Sequence, residues 1–163
     1  LARMSDFAET WTLIRGRFDA EVSGLSAAQL NWRLHPDSLT LGEMALHVAG
    51  VEISFTHQLT GAPLDAFTTK LKAAATDGSV NDKPFPFAVA EITPDAVQQA
   101  LALGREVVTP LITNLTPELR ARRLISALGP EIDGTGAFAR LAYHPGYHQG
   151  QAYLIKTAPG FPA

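Results

Sequence analysis

Residues 141 to 155 read LAYHPGYHQGQAYLI, and whether they form a helix decides how many long helices the chain contains. His144 and His148 stand four apart, so on a helix both rings rise from one face. That face also carries Leu141, Gln151, Ala152 and Ile155, most of it apolar. Pro145 opposes the reading. It removes the N–H that would bond the Leu141 carbonyl, and its ring crowds that carbonyl, at ~3 kcal/mol in a helix interior. It also biases His144 away from helical geometry. Two outcomes satisfy these constraints. The helix kinks and continues, or one helix stops near Tyr143 and a second begins with Pro145 in its first turn. In both, residues 148 to 156 are helical.

Outward from this stretch, the chain reads as helices joined by turns. Residues 135 to 157 form the last long helix, stopped by PGFP. Residues 5 to 23 place Phe7, Trp11, Ile14, Phe18 and Val22 at helical spacing, with Ser5 as N-cap. A short turn of helix starts at Ser26. Thr40 and Glu43 fit a capping box. Leu41, Met44, Ala45, Val48, Phe55 and Leu59 then make one apolar stripe that Gly61 and Pro63 end. Thr93, Pro94 and Asp95 announce a third long helix to about Asn114, with Pro110 bending its last part. A short helix follows Thr116. Between the second and third long helices, residues 62 to 92 hold a short helix in LDAFTTKLKAAA and a turn-rich loop. So long a connection implies a crossover or a functional loop. GPEIDGTG, residues 129 to 136, reads as loop. FPFAVAEI, residues 85 to 92, has β character, but one strand has no partner. The pattern predicts an all-α four-helix bundle with a long crossover, in one domain over residues 1 to 163.

Composition bounds the function. The 163 residues are 46% hydrophobic and 18% charged, with a net charge of −3, a folded rather than disordered profile. The largest basic cluster, RARR at 120 to 123, reads as a solvated helix end, so no nucleic-acid partner is expected. With no cysteine, disulfides, thiolate metal sites and a cysteine nucleophile are excluded. No apolar run approaches the ~20 residues that span a bilayer. LARMSDFAET has no apolar signal segment. The expectation is a cytoplasmic protein away from membranes.

The five histidines differ in setting. His35 precedes Pro36 in a connector. His57 lies near the negative end of the second long helix, where a cation is favoured. His47 sits within that helix beside the core stripe, and the plain reading is a half-buried ring bonded to an oxygen. His144 and His148 on an apolar face are costly to bury without partners, and a metal ion removes that cost. H-x-x-x-H alone is a weak motif, and the missing H-E-x-x-H frame argues against a zincin protease.

Three segments together resemble the DinB/YfiT-like family. They are the entry LSAAQLNWRLHPDSLTLGEMALH, the pair His47 and Glu52, and the terminal H-x-x-x-H-x-G-Q of His144, His148, Gly150 and Gln151. The resemblance implies a four-helix bundle with a long crossover, a homodimer, and a metal held by His47, His144 and His148. On that basis the stretch 141 to 155 is expected to be a kinked helix with both rings converging on the ion.

Three imidazoles on a divalent ion leave a position open, as in catalytic sites. Imidazole suits zinc, nickel, copper or iron, with zinc and nickel expected first. Glu52 and Gln151 are candidates to orient the rings from behind, although Glu52 is off the His47 face. An open ion supports hydrolysis or holds a thiol ready to attack an electrophile. The resemblance favours the thiol, because relatives include transferases and isomerases that use bacillithiol or mycothiol. Arg140 is then placed to neutralise an anionic group of that thiol, and Tyr143 and Tyr147 to donate hydrogen bonds at the mouth. The expected function is a metal-dependent thiol S-transferase acting on a small molecule in stress response or detoxification. The alternatives are a non-enzymatic metal-binding, dimerising bundle and a metal-dependent hydrolase.

Overall fold

The computed structural model describes residues 6 to 163; the Ser5 cap lies outside them. Helices α1 (Ala8–Val22), α2 (Ala27–Leu30), α3 (Leu41–Thr60), α4 (Ala66–Ala74), α5 (Pro94–Ile112), α6 (Pro117–Ala121) and α7 (Gly134–Lys156) are joined by one antiparallel hairpin, β1 (Arg123–Ile125) with β2 (Glu131–Asp133). The fold is all-α apart from this hairpin. Its four long helices are α1, α3, α5 and α7. The main packing pairs are α1 with α7 and α3 with α5, α4 and α7.

Local signals in the chain fix the helix starts. Ser26 and Thr40 each close a capping box, while Thr93 and Thr116 accept from the third helical N–H ahead of a proline at the first position. Gly61 ends α3 at φ 71°, a left-handed position that glycine takes without cost. α1 differs from expectation, since Phe7 precedes it and supplies no side-chain cap.

α3 is the central element. Only Ser54, His57, Gln58 and Thr60 of its residues are not buried. One apolar cluster joins Phe18, Leu41, Leu46, Leu71 and Leu101, and a second joins Trp11, Phe55, Ile112, Phe138 and Leu141. Each such side chain contributes about 1.5–3 kcal/mol on burial. Close approach to α4 depends on Gly50, where a Cβ would run into the Leu71 carbonyl oxygen and lie 3.0 Å from Ala75 N.

A charged network crosses the core. Arg15 is fully buried and donates to both Glu52 oxygens, to Asp19 and to the Leu101 carbonyl. Trp11 Nε1 donates to Glu52 at 3.0 Å, and Arg105 holds Asp19 from outside at 2.8 Å. Every charge therefore has a partner, the condition for tolerating burial. Gly104 fits here because a Cβ would strike Glu52 Oε1.

Residues 85 to 92 form no strand, as the lack of a partner implied; Val89–Glu91 is a 3₁₀ turn. Two expectations are corrected. The expected loop at 129 to 136 holds β2 and the start of α7, with Leu124 opposite Ile132 in register. The RARR cluster is split between α6 and β1. There Arg120 pairs with Asp6, Arg122 donates to the Leu59 carbonyl, and Arg123 bonds Glu131. Among the described residues, no helix is long and apolar enough to cross a membrane.

Candidate metal centre

α7 runs unbroken from Gly134 through Pro145 to Lys156. The freed carbonyl of Leu141 is the local cost of this proline, and burial of the Pro145 ring offsets it. Gly146 lets the helix lie close to α1, where a Cβ would stand 3.0 Å from Ile14 Cγ2. His144 and His148 consequently rise from one face, as two ligands on a helix must.

That face meets His47 of α3. His47 Nε2 and His148 Nε2 each lie 3.0 Å from His144 Nε2. The three rings pack edge to face, with centroids 4.6–5.0 Å apart. His47 is 4% exposed and His148 5%, so His47 is buried rather than half-buried.

The far side of each ring decides its tautomer. His47 Nδ1–H donates to the Ala74 carbonyl at 2.9 Å, and His148 Nδ1–H donates to Gln151 Oε1 at 2.8 Å. A neutral ring with its proton on Nδ1 presents a bare lone pair at Nε2. Two such lone pairs point at His144 Nε2, which has one proton at most for two 3.0 Å contacts. At least one contact is thus left without a hydrogen bond, with a bare lone pair aimed at a ring nitrogen that returns no proton to it. A cation between the nitrogens gives that lone pair a partner, so this donor set fits a divalent metal, with oriented outer partners already in place. The three histidines form the group that could hold an ion, and no Cys, Asp or Glu joins it among the described residues.

The rings are kept neutral. Burial pushes His47 below its usual range, against its bond to the Ala74 carbonyl. Burial, then the charges of His148 and His47, hold His144 well below. Burial and then His47 bring His148 down to about 4, opposed by Gln151. Neutral imidazole is the metal-ligating form.

The trio opens onto a cavity of about 780 Å³ lined mainly by apolar side chains, among them Leu39, Met44, Val51, Phe55, Leu154 and Ile155. Arg140, Tyr143, Tyr147 and Gln151 line it too. Tyr143 and Tyr147 are 63% and 53% exposed at its rim, and the Tyr147 ring lies edge-on to His148 with centroids 5.0 Å apart. Arg140 Nη1 donates back to the Gly136 carbonyl at 3.1 Å, one turn further from His144. Glu52 is not at the rings, because its carboxylate is committed to Arg15 and Trp11. His57 bonds the Ala62 carbonyl at 2.7 Å, and His35 lines the cavity on the connector before α3.

Sequence reasoning missed the Ala74 carbonyl behind His47, since a backbone oxygen carries no side-chain signature. The small residue at Gly50, which brings α4 against α3, was the available signal. Ser126 was missed as well. It lines the cavity from the hairpin turn, and its buried hydroxyl has no hydrogen-bond partner among the described residues.

In a comparison with curated proteins, none matches the chain. The sequence model of the DinB superfamily matches residues 10–152, and the chain belongs to that superfamily.

Proposed function

We propose that the protein is a metal-dependent transferase that joins a low-molecular-weight thiol to an electrophilic small molecule. The observation that carries the reading is the trio itself, three neutral imidazole nitrogens converging at the floor of a large cavity with no fourth protein ligand in the group. A shell left open in this way supports a reactive rather than a structural ion. His47, His144 and His148 would hold the metal, with zinc or nickel favoured by the nitrogen donors. When bound, the ion supplies Lewis acidity, which lowers the pKa of a thiol or water brought to it.

The chain's own residues have distinct parts. The Ala74 carbonyl and Gln151 fix two rings in the ligating tautomer. The apolar walls exclude water from the reacting pair. Tyr143 and Tyr147 offer hydroxyl donors at the mouth. The chain contains no cysteine, so the nucleophilic sulfur must arrive on a cosubstrate. A homodimer and a detoxification role belong to this reading.

Mixing zinc- or nickel-loaded protein anaerobically with bacillithiol, mycothiol or glutathione and a chloro-nitroaromatic electrophile tests it. Accelerated thiol loss, abolished by His144→Ala, is the expected result. No acceleration with any thiol removes the transferase assignment. One observation favours a second reading, a metal-binding bundle that dimerises without catalysis. α7 exposes Tyr143, Tyr147, Tyr153 and Leu154, and a dimer that covered the cavity mouth would leave no path for substrate.

A further inference from the structure

Beside the imidazole trio, the cavity lining takes Ser126, Leu128 and Pro130 from the hairpin turn and Arg140 from α7. Among the described residues Arg140 makes no ion pair, and a single bond to the Gly136 carbonyl leaves most of its five N–H groups unused. It is the one arginine or lysine among the lining residues. Its hydrogen bond to Gly136 carries the guanidinium back along the helix, and residues 136 and 144 are about 12 Å apart along the axis. The Ser126 hydroxyl, buried and without a hydrogen-bond partner among the described residues, lines the same cavity. The larger part of the lining is apolar, with Met44, Val51, Phe55 and Ile155 in it.

We propose that the cavity receives an amphiphilic monoanion, a small molecule with an apolar body and one carboxylate, the carboxylate pairing with Arg140 and the body running toward the histidines. The inference rests on reading the cavity as the substrate site, and it names the class of the electrophilic substrate. It also assigns Arg140 to that substrate rather than to the thiol. A planar guanidinium matches a carboxylate with two parallel hydrogen bonds. A phosphate monoester, at roughly −1.5 to −2 charge, fits less well against one arginine with Asp37 also lining the cavity. The mainly apolar lining favours an apolar body over a sugar, whose many hydroxyls would lose hydration against Met44, Val51, Phe55 and Ile155.

Octanoate, 1-octanol and octylammonium, titrated calorimetrically into the protein with and without one equivalent of zinc, test this. Octanoate should bind tightest in both states. Arg140→Gln should weaken octanoate about tenfold while leaving 1-octanol unchanged, and Ser126→Ala should weaken octanoate a few-fold. Arg17→Gln, which removes the same charge from an exposed site on α1 outside the cavity, should change nothing. The proposal is overturned if octanoate fails to bind, or if Arg140→Gln keeps its affinity. An octanoate signal that needs zinc and survives Arg140→Gln also overturns it, by seating the carboxylate at the histidines. Arg140-dependent octanoate binding in a protein that takes up no zinc would sink the metal reading and leave this one standing.

Discussion

Gly50→Ala tests whether the packing of α4 on α3 sets up the histidines. The added Cβ would collide with the Leu71 carbonyl oxygen and crowd Ala75 N at 3.0 Å and the Leu71 carbonyl carbon at 3.2 Å. All three are backbone atoms of α4 and its cap, so no side-chain rotation relieves them. Restoring ordinary contact requires α4 to withdraw by roughly 1 Å. Ala74 belongs to the same helix, and its 2.9 Å bond from His47 Nδ1 would lengthen to roughly 4 Å, beyond any hydrogen bond. Overpacking costs about 1–3 kcal/mol and the lost bond about 1 kcal/mol. Alanine's better helix propensity returns up to about 1 kcal/mol. The net expectation is a loss of about 1–3 kcal/mol in urea unfolding. Released from its carbonyl, His47 loses its enforced tautomer, and zinc affinity should fall about 10–100-fold. Calorimetric zinc titration reads the affinity, and the His47 Nδ1 proton signal reports the bond. Gly150→Ala, on the ligand-bearing helix with nothing within 4 Å, is the control and should leave affinity unchanged. Wild-type zinc affinity in Gly50→Ala would refute the argument.

Other perturbations separate structure from site. Glu52→Ala leaves the buried Arg15 with Asp19 as its one carboxylate, beside the Leu101 carbonyl, and strips the acceptor from Trp11 Nε1. It should cost about 3–5 kcal/mol in urea unfolding with little change in zinc affinity per folded molecule. Gln151→Leu removes the acceptor behind His148 and should weaken zinc about tenfold or more by calorimetry with a small change in stability. In metal-free protein, His148 titrates at about 4 when folded against ~6.5 when unfolded. The unfolded chain therefore binds the proton first as pH falls, and the stability present above pH ~6.5 drains away down to pH ~4, by about 3 kcal/mol from this ring. Urea midpoints measured from pH 7.5 to 4 should fall over that window, and His148→Ala should flatten the fall. Zinc should leave the protein in the same direction.

The fold was readable largely because its helix starts rest on short-range chemistry. Ser26, Thr40, Thr93 and Thr116 cap helices through bonds three residues away, a distance within reach of sequence inspection. Tertiary contacts explain the misses. β1 and β2 are three residues each, too short for a period to register, and they pair through a turn at residues 126 to 130. Arg15 carries no local signal of its burial, which depends on Glu52 of another helix. Glu52 itself lies five residues after His47, about 140° around the helix, which already placed it off the ligand face. The trio's two α7 members were visible in spacing. Their meeting with His47 was not, since nothing local joins residues 47 and 144. What joins them is α7 staying helical through Pro145 and packing on α3, and only the resemblance to the DinB/YfiT-like family anticipated that meeting.

Three imidazoles that share one ion and leave part of it open fix the ion's coordination shell. X-ray absorption at the metal edge, on protein loaded with one equivalent of zinc or nickel near pH 7.5, measures this directly. Three nitrogen scatterers of imidazole type plus at least one exchangeable light atom are expected, falling to two imidazoles in His144→Ala. Fewer than three imidazoles in the wild type, or a shell closed by a fourth protein ligand, would contradict this arrangement.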